Sequence, residues 1–316
     1  MLIISGLAPD LDYASYFGGA SAFMRFHRTV AHSLLGAAVT ACVVAAAFCV
    51  LDRKEPRKPP HAYSSPSLSF LAAWLVCAIG ACGHILLDLC SGNGVQLLWP
   101  FHLHRYGWDL AANLDPLLLT LLIAGLLLPL LFQLVNEEVT SGQKKRSGAT
   151  AAVITLVLLI GYFGVRAHFR EEAVSLLFSR EYHGRVPLSA DAFPMPLSPF
   201  TWRGVVGTDN TMEEVDVPLG GDRFDPNDST TLYKPEDSPA LEIAQKTAGA
   251  GQFLEYARVP VANVRRNEAD YRVEIRDLRF PADDDSPSNI VLRVDLSSDL
   301  KIRREQFLFA STANSQ

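Results

Sequence analysis

Residues 68–90, LSFLAAWLVCAIGACGHILLDLC, are apolar enough to cross a bilayer apart from His84 and Asp88 near their end. A carboxylate at membrane depth costs about 3 kcal/mol even on lenient insertion scales, so an ionisable pair in such a run points to function. The spacing i, i+4 sets both side chains on one helical face, one turn apart. Two readings stand for the pair alone. Imidazole and carboxylate share a metal ion, or they hydrogen-bond to each other and tie helices together.

Three further runs flank this one. Ser33–Leu51 holds no charge, and Pro116–Val135 and Gly148–Val165 are similarly apolar. Each approaches the roughly 20 residues that cross about 30 Å of hydrocarbon, so four spans are expected. Arg25 and Arg28 ahead of the first run imitate a signal peptide, but Asp52-Arg53-Lys54-Glu55 follows it in place of a cleavage site. The loop after the first run carries Arg53, Lys54, Arg57 and Lys58, and the loop after the third carries Lys144, Lys145 and Arg146. The positive-inside bias makes that side cytoplasmic and turns the N-terminal segment, Ser91–Asp115 and everything after the fourth run outward.

Composition divides the chain the same way. Residues 1–169 carry 11 Lys+Arg against 9 Asp+Glu, whereas residues 170–316 carry 17 against 25. The first part reads as a helical integral membrane domain and the second as a soluble domain. Cys42, Cys49, Cys77, Cys82 and Cys90 all lie in or beside apolar runs, in a spacing that suggests neither a disulfide framework nor a thiolate metal site. With a net charge of −6, nothing indicates a nucleic-acid partner. In the second part Tyr271–Phe280 alternates, with Tyr271, Val273 and Ile275 on one face and Arg272, Glu274 and Arg276 on the other. Ile290–Leu296 and Gln306–Ala310 repeat the pattern, Trp202–Val206 and Glu213–Val217 show it more weakly, and Leu241–Gly249 reads as a short helix. A mainly antiparallel, β-rich α+β domain follows. Asp283–Asp285 reads as a solvated turn.

The polar residues of the first part gather at the outer ends of its helices under this topology. Asp10 and Asp12 precede the first span, His27 and His32 flank its start, and His84 and Asp88 close the second. His102, His104, Asp109 and Asp115 lie in the loop before the third span. Singly, most have plain explanations. Asp115-Pro116 is a helix start with Pro at its first position. His102 and His104 fit an interfacial belt with Trp99, Tyr106 and Trp108. His61 and His168 read as interfacial, and His183 as a surface residue. His27 and His32, i and i+5, share a site only if His27 precedes the helix. Jointly, acids and histidines at one face suit a divalent site of zinc or manganese that activates water. No nucleophile elbow, P-loop or dinucleotide fingerprint is present.

Pro9-Asp10-Leu11-Asp12, His27-Arg28-x-x-x-His32-Ser33, Gly83-His84-x-x-x-Asp88, Gly94-Val95-Gln96-Leu97-Leu98-Trp99-Pro100 and Asp115-Pro116, in that order, resemble the bacterial YdjM-like family of membrane-bound metal-dependent hydrolases. The likeness covers about residues 5–120. Pro199-Phe200-Thr201-Trp202-Arg203 is similar to a Pro…Trp-Arg feature of longer members. The order of acidic and histidine elements is also remotely similar to zinc-dependent phospholipase C and P1-type nucleases. The resemblance implies Asp10, Asp12, His27, His32, His84 and Asp88 as metal-site residues; of these carboxylates, Asp12 and Asp88 are the catalytic candidates, one of them as general base in place of holding metal. It also implies a further helical segment with a Thr-His pair ahead of Pro9, whereas this chain opens at Met1-Leu2-Ile3-Ile4-Ser5-Gly6, and Ala31 stands where the family has Thr.

The expected function is that of an inner-membrane hydrolase acting with a metal-activated water on a phosphoester or lipid-like substrate. Arg28 would contact an anionic substrate or anchor the chain at the interface. The alternative is a non-catalytic membrane scaffold, whose His/Asp cluster is structural and whose soluble domain binds a partner.

Overall fold

The computed structural model describes residues 1–54, 69–139, 147–221, 223–267, 270–281 and 286–313. Arg57, Lys58, His61, Lys144–Arg146 and Asp283–Asp285 lie outside the described residues. The chain divides into two compact units. One comprises Met1–Leu89, Asn93–Trp108 and Lys234–Gln316, and the other Cys90–Gly92 and Asp109–Tyr233.

The first unit opens with α1 (Leu2–Leu7), a 3₁₀ segment over Pro9–Gly18 with Pro9 at its start, and α2 (Gly19–Phe26). Two long apolar helices follow, α3 (Leu34–Lys54) and α4 (Phe70–Cys90). Ser33 begins α3 as an N-cap, its hydroxyl accepting from the Gly36 N–H at 2.9 Å. The two long helices meet along small residues. Ala37, Ala41 and Ala45 on α3 and Ala73, Cys77 and Ala81 on α4 recur every four residues and are fully or nearly fully buried. Small side chains let helices approach closely where lipid offers no hydrophobic drive for association. The short α1 docks on α4 in the same manner, with the Ser5 hydroxyl donating to the Cys77 carbonyl at 2.7 Å.

Close approach makes one glycine decisive. A Cβ on Gly36 would stand 1.9 Å from the Val30 carbonyl oxygen, in the turn that carries His27 and His32. Gly36→Ala is therefore expected to cost roughly 1–3 kcal/mol, as overpacking does. Thermal unfolding in detergent, with metal content of the same sample, checks it. A midpoint equal to wild type would show that the turn yields freely.

The C-terminal part of this unit adds α7 (Pro239–Gln245) and α8 (Ala248–Tyr256), capped by the Ser238 and Thr247 hydroxyls. A four-stranded antiparallel sheet completes it. Numbered after four earlier strands, its order is β5 (Pro260–Asn267), β6 (Asp270–Asp277), β7 (Ile290–Leu296), β8 (Ile302–Phe309). The alternation expected over Tyr271–Phe280 is borne out as far as Asp277, with Val273, Ile275 and Asp277 buried and the residues between them less so, but the strand ends there and Leu278, Arg279 and Phe280 are all buried in the turn that follows. Phe23 and Met24 of α2 enter the core built from α7, α8, β6 and β7. The short helix expected at Leu241–Gly249 is two helices, because Thr247 caps a new one.

The second unit holds α5 (Pro116–Val139) and α6 (Ser147–Phe178), then the sheet β1 (Ser189–Pro194), β2 (Thr201–Gly207), β3 (Thr211–Pro218), β4 (Thr230–Tyr233), antiparallel throughout. Ala173 and Leu177 at the end of α6 pack with Tyr182, Trp202, Val206 and Val215. Asp115 caps α5 through the Leu117 and Leu118 N–H groups and accepts from the Tyr162 hydroxyl, so the capping reading holds. The Pro199–Arg203 motif also finds its place here. Buried Arg166 donates to the Pro199 carbonyl, and its guanidinium lies 4.3 Å from the Trp202 ring.

Among the described residues, three helices are long and apolar enough to cross a membrane, over Leu34–Asp52, Phe70–Cys90 and Gly148–Phe178. The fourth expected span, Pro116–Val135, does lie within a helix, but its described apolar stretch is shorter, Pro116–Leu130. Four spans are thus not reached among the described residues. The C-terminal part contains two antiparallel sheets where the alternating pattern suggests one.

Candidate metal centre

Four short pieces of the first unit converge. Asp10 and Asp12 come from the 3₁₀ segment, and His27 closes α2. His32 stands just before α3, and His84 and Asp88 sit on the last turns of α4. His27 lies ahead of the α3 helix, as sharing a site with His32 required.

The inner shell is tight. The two Nε2 atoms of His32 and His84 face each other at 3.2 Å. Asp88 Oδ2 lies 3.1 Å from the first and 3.4 Å from the second. Asp10 Oδ1 lies 3.7 and 3.4 Å from the same two nitrogens. Asp10, His32 and His84 thus form a His/Asp cluster in which each residue offers a ligand atom within 4.8 Å of the others. In a tetrahedral site with bonds near 2.0–2.1 Å, ligand atoms stand about 3.3–3.4 Å apart. The three spacings within this group, 3.2–3.7 Å, scatter around that value, and imidazole nitrogen with carboxylate oxygen is a zinc-type donor set, while Asp88 stands outside the group beside the two histidines. The residues fit a divalent cation.

Behind this shell lies Asp12. One of its oxygens accepts from His27 Nδ1 at 2.8 Å, and the other from the Arg28 N–H at 3.0 Å and His32 Nδ1 at 2.9 Å. Donating at Nδ1 leaves Nε2 of His32 to face the cluster, the usual carboxylate–histidine arrangement behind a metal. Arg28 makes this possible by adopting a left-handed backbone (φ 57°), while its guanidinium pairs with Asp88 Oδ1 at 2.9 Å. Its carbonyl accepts from the Gln96 N–H at 3.1 Å, tying the turn to the loop after α4. No pattern in the sequence signals those backbone roles, because Arg is not a residue that favours positive φ.

Charges around His32 are lopsided. Burial pushes its pKa down, but Asp10, Asp12 and Asp88 outweigh burial and raise it to about 10. The hydrogen bonds from His32 and His84 hold Asp10 well below the usual carboxylate range, against a smaller opposing effect of burial. For Asp12, burial raises the pKa, but hydrogen bonds from His27 and His32 prevail and lower it. Burial wins at His27, which is depressed despite Asp12.

Without a cation, then, His32 is protonated at neutral pH. A cation must displace that proton, so metal affinity should rise with pH, by up to about tenfold per unit for one proton until His32 deprotonates unaided near 10. Isothermal titration with zinc at pH 6.5, 7.5 and 8.5 in two buffers reads both the slope and the proton released. The apo protein should show the opposite trend. A raised histidine contributes stability below its unfolded pKa of about 6.5, and that contribution is lost as pH climbs towards 10.

The other expected residues lie elsewhere. His102 and His104 are exposed, the latter with its ring 4.9 Å from Tyr106. Asp109 and Asp115 belong to the second unit, where Asp109 is buried and pairs with Arg170 at 3.5 Å. His183 is exposed, and His168 lies on α6 with its ring 6.2 Å from Phe169.

A family model described as YdjM inner membrane protein matches residues 1–171. The chain belongs to that family. The match covers α1 through most of α6 and so includes all six cluster residues, and it agrees with the apolar helices in making the chain an inner membrane protein. Among curated proteins and solved structures, nothing matches.

Proposed function

We propose that this member of the YdjM family is a membrane-bound metal-dependent hydrolase whose cation, zinc by its donors, is held by Asp10, His32 and His84, with Asp88 beside the two histidines. The observation that carries the reading is the set of three spacings of 3.2–3.7 Å among the ligand atoms of Asp10, His32 and His84. A bound divalent cation supplies two things there, a lowered pKa for a water molecule and polarisation of a phosphoryl or acyl oxygen.

The chain's own residues divide the remaining work. Asp12, engaged by three donors, orients His32 rather than transferring a proton. Arg28 holds Asp88 from behind through Oδ1. Asp10 has a half-exposed side chain, so the cluster opens to a substrate on its side. The charge asymmetry of the loops favours the extracytoplasmic boundary for this opening, and the C-terminal sheets with it. A lipid or other phosphoester presented at that boundary is the substrate class that position favours.

Metal analysis of protein purified without chelators should find about one equivalent of zinc or manganese. Hydrolysis of a panel of phosphodiesters, phospholipids and esters should then vanish in His84→Ala and Asp88→Asn. Protein without stoichiometric metal defeats the reading. Metal present with nothing hydrolysed would favour the structural cluster of a scaffold.

A further inference from the structure

Apart from the metal centre, the first unit contains a cavity of about 380 Å³ with mixed polar and apolar lining, within the roughly 300–1,000 Å³ of small-molecule sites. Its wall includes Arg105, which is only 4% exposed. The Arg105 guanidinium donates to the Met24 and His27 carbonyls at 3.3 and 3.1 Å and lies 4.9 Å from the Tyr256 ring. Those contacts hold the turn ahead of His32 but bring no carboxylate against the guanidinium, on which Asp12 acts only from a distance. Among the described residues no carboxylate is ion-paired with Arg105, and its buried Nε has no hydrogen-bond partner. A buried cation with no carboxylate in contact is costly, and an oxyanion is what a guanidinium edge accommodates.

The surroundings indicate what carries that anion. Arg25 also lines the cavity, its cation over Phe26 at 5.6 Å, and exposed Glu255 is the single acid among the lining residues. Phe26, Val30 and Leu103 at the same cavity are 49%, 41% and 43% exposed, in a protein of the inner membrane. A cation at the base with apolar groups around it matches an amphiphile, with the anionic end inward. We infer that this cavity binds a phosphate group borne by a membrane lipid, at a site separate from the His/Asp cluster and centred on Arg105. The inference concerns binding alone and stands whether or not the cluster hydrolyses anything.

Full-length protein in detergent, titrated by native mass spectrometry, tests it with phosphatidylglycerol, diacylglycerol of the same chains, and inorganic phosphate. Phosphatidylglycerol should bind at least about tenfold more tightly than diacylglycerol, and Arg105→Gln should remove that difference. Gln252→Glu and Glu255→Gln, on exposed positions of α8 at the cavity, should weaken and tighten binding severalfold, respectively. Should Arg105→Gln fail to fold, these two opposed α8 variants still separate the outcomes. Phosphate bound under the same charge dependence, with no preference among lipids, would identify free phosphate as the source and overturn the lipid assignment. Equal binding of both lipids with no phosphate retained, or binding indifferent to the α8 charges, overturns the inference.

Discussion

His32→Ala should lose at least about 100-fold in metal affinity, whereas Asp12→Asn, which leaves all inner-shell atoms in place, should lose about 10–100-fold. The gradation follows from where each group sits. His32 presents Nε2 at 3.1–3.7 Å from three other ligand atoms and is fully buried. Removing it deletes a ligand and leaves three carboxylates around the void. Asp12 touches only the far nitrogens of the two histidines and the Arg28 backbone. An amide there offers one acceptor where three donors arrive, so His32 loses its orientation but not its position. Competition with a chromophoric chelator gives both constants. Equal losses would place Asp12 among the direct ligands and return it to the set implied by family resemblance.

Asp277→Ala should destabilise the protein by about 3–5 kcal/mol, the cost of breaking a buried ion pair from one side. Asp277 and Arg279 are 1% and 5% exposed and 2.7 Å apart. The carboxylate also accepts from the backbone N–H groups of Arg258, Val259 and Arg279, so its loss strands three donors as well as a cation. Arg279 reaches on to the Asn93 and Tyr256 carbonyls at 3.2 Å each, joining the C-terminal sheet to the loop after α4. The control is Asp295→Ala. Its partner Arg272 is at 2.8 Å too, but both side chains are about a quarter to a third exposed, and water screening limits that pair to about 1 kcal/mol or less. Thermal unfolding in detergent ranks the two. Metal affinity should fall in Asp277→Ala as well, because the same loop supports the Arg28 carbonyl through Gln96. Similar melting of both variants would mean that Arg279 finds another acceptor or is solvated.

Much of this was legible in the chain. Hydrophobic runs mark membrane helices because a backbone in lipid must bond within its own segment, a constraint that needs no partner. Period-2 alternation marked Asp270–Asp277 for a similarly local reason, one face drier than the other, whereas Ile290–Leu296 is buried at every position but Asp295. The strands at Ser189–Pro194, Thr230–Tyr233 and Pro260–Asn267 escaped notice because they are short or lack that contrast. The six cluster residues stood out as ionisable groups ranged around apolar runs.

Their division of labour was not legible. Asp10 and Asp12 differ by two positions in one short 3₁₀ segment, yet one faces the ligand atoms and the other the backs of two histidines. The left-handed turn at Arg28 brings its N–H to Asp12 and leaves Asp10 to the other side of the histidines, a contact between residues sixteen apart in the chain. The same holds for the compact unit that contains the cluster. It takes in α7, α8 and the last sheet, more than 200 residues along the chain from Asp10, through Phe23 and Met24 in their core and Arg279 at Asn93. Periodicity and composition report how a segment meets its solvent. Which distant segment supplies its next neighbour is settled by shape and by buried polar groups finding partners, and that is information the folded chain alone contains.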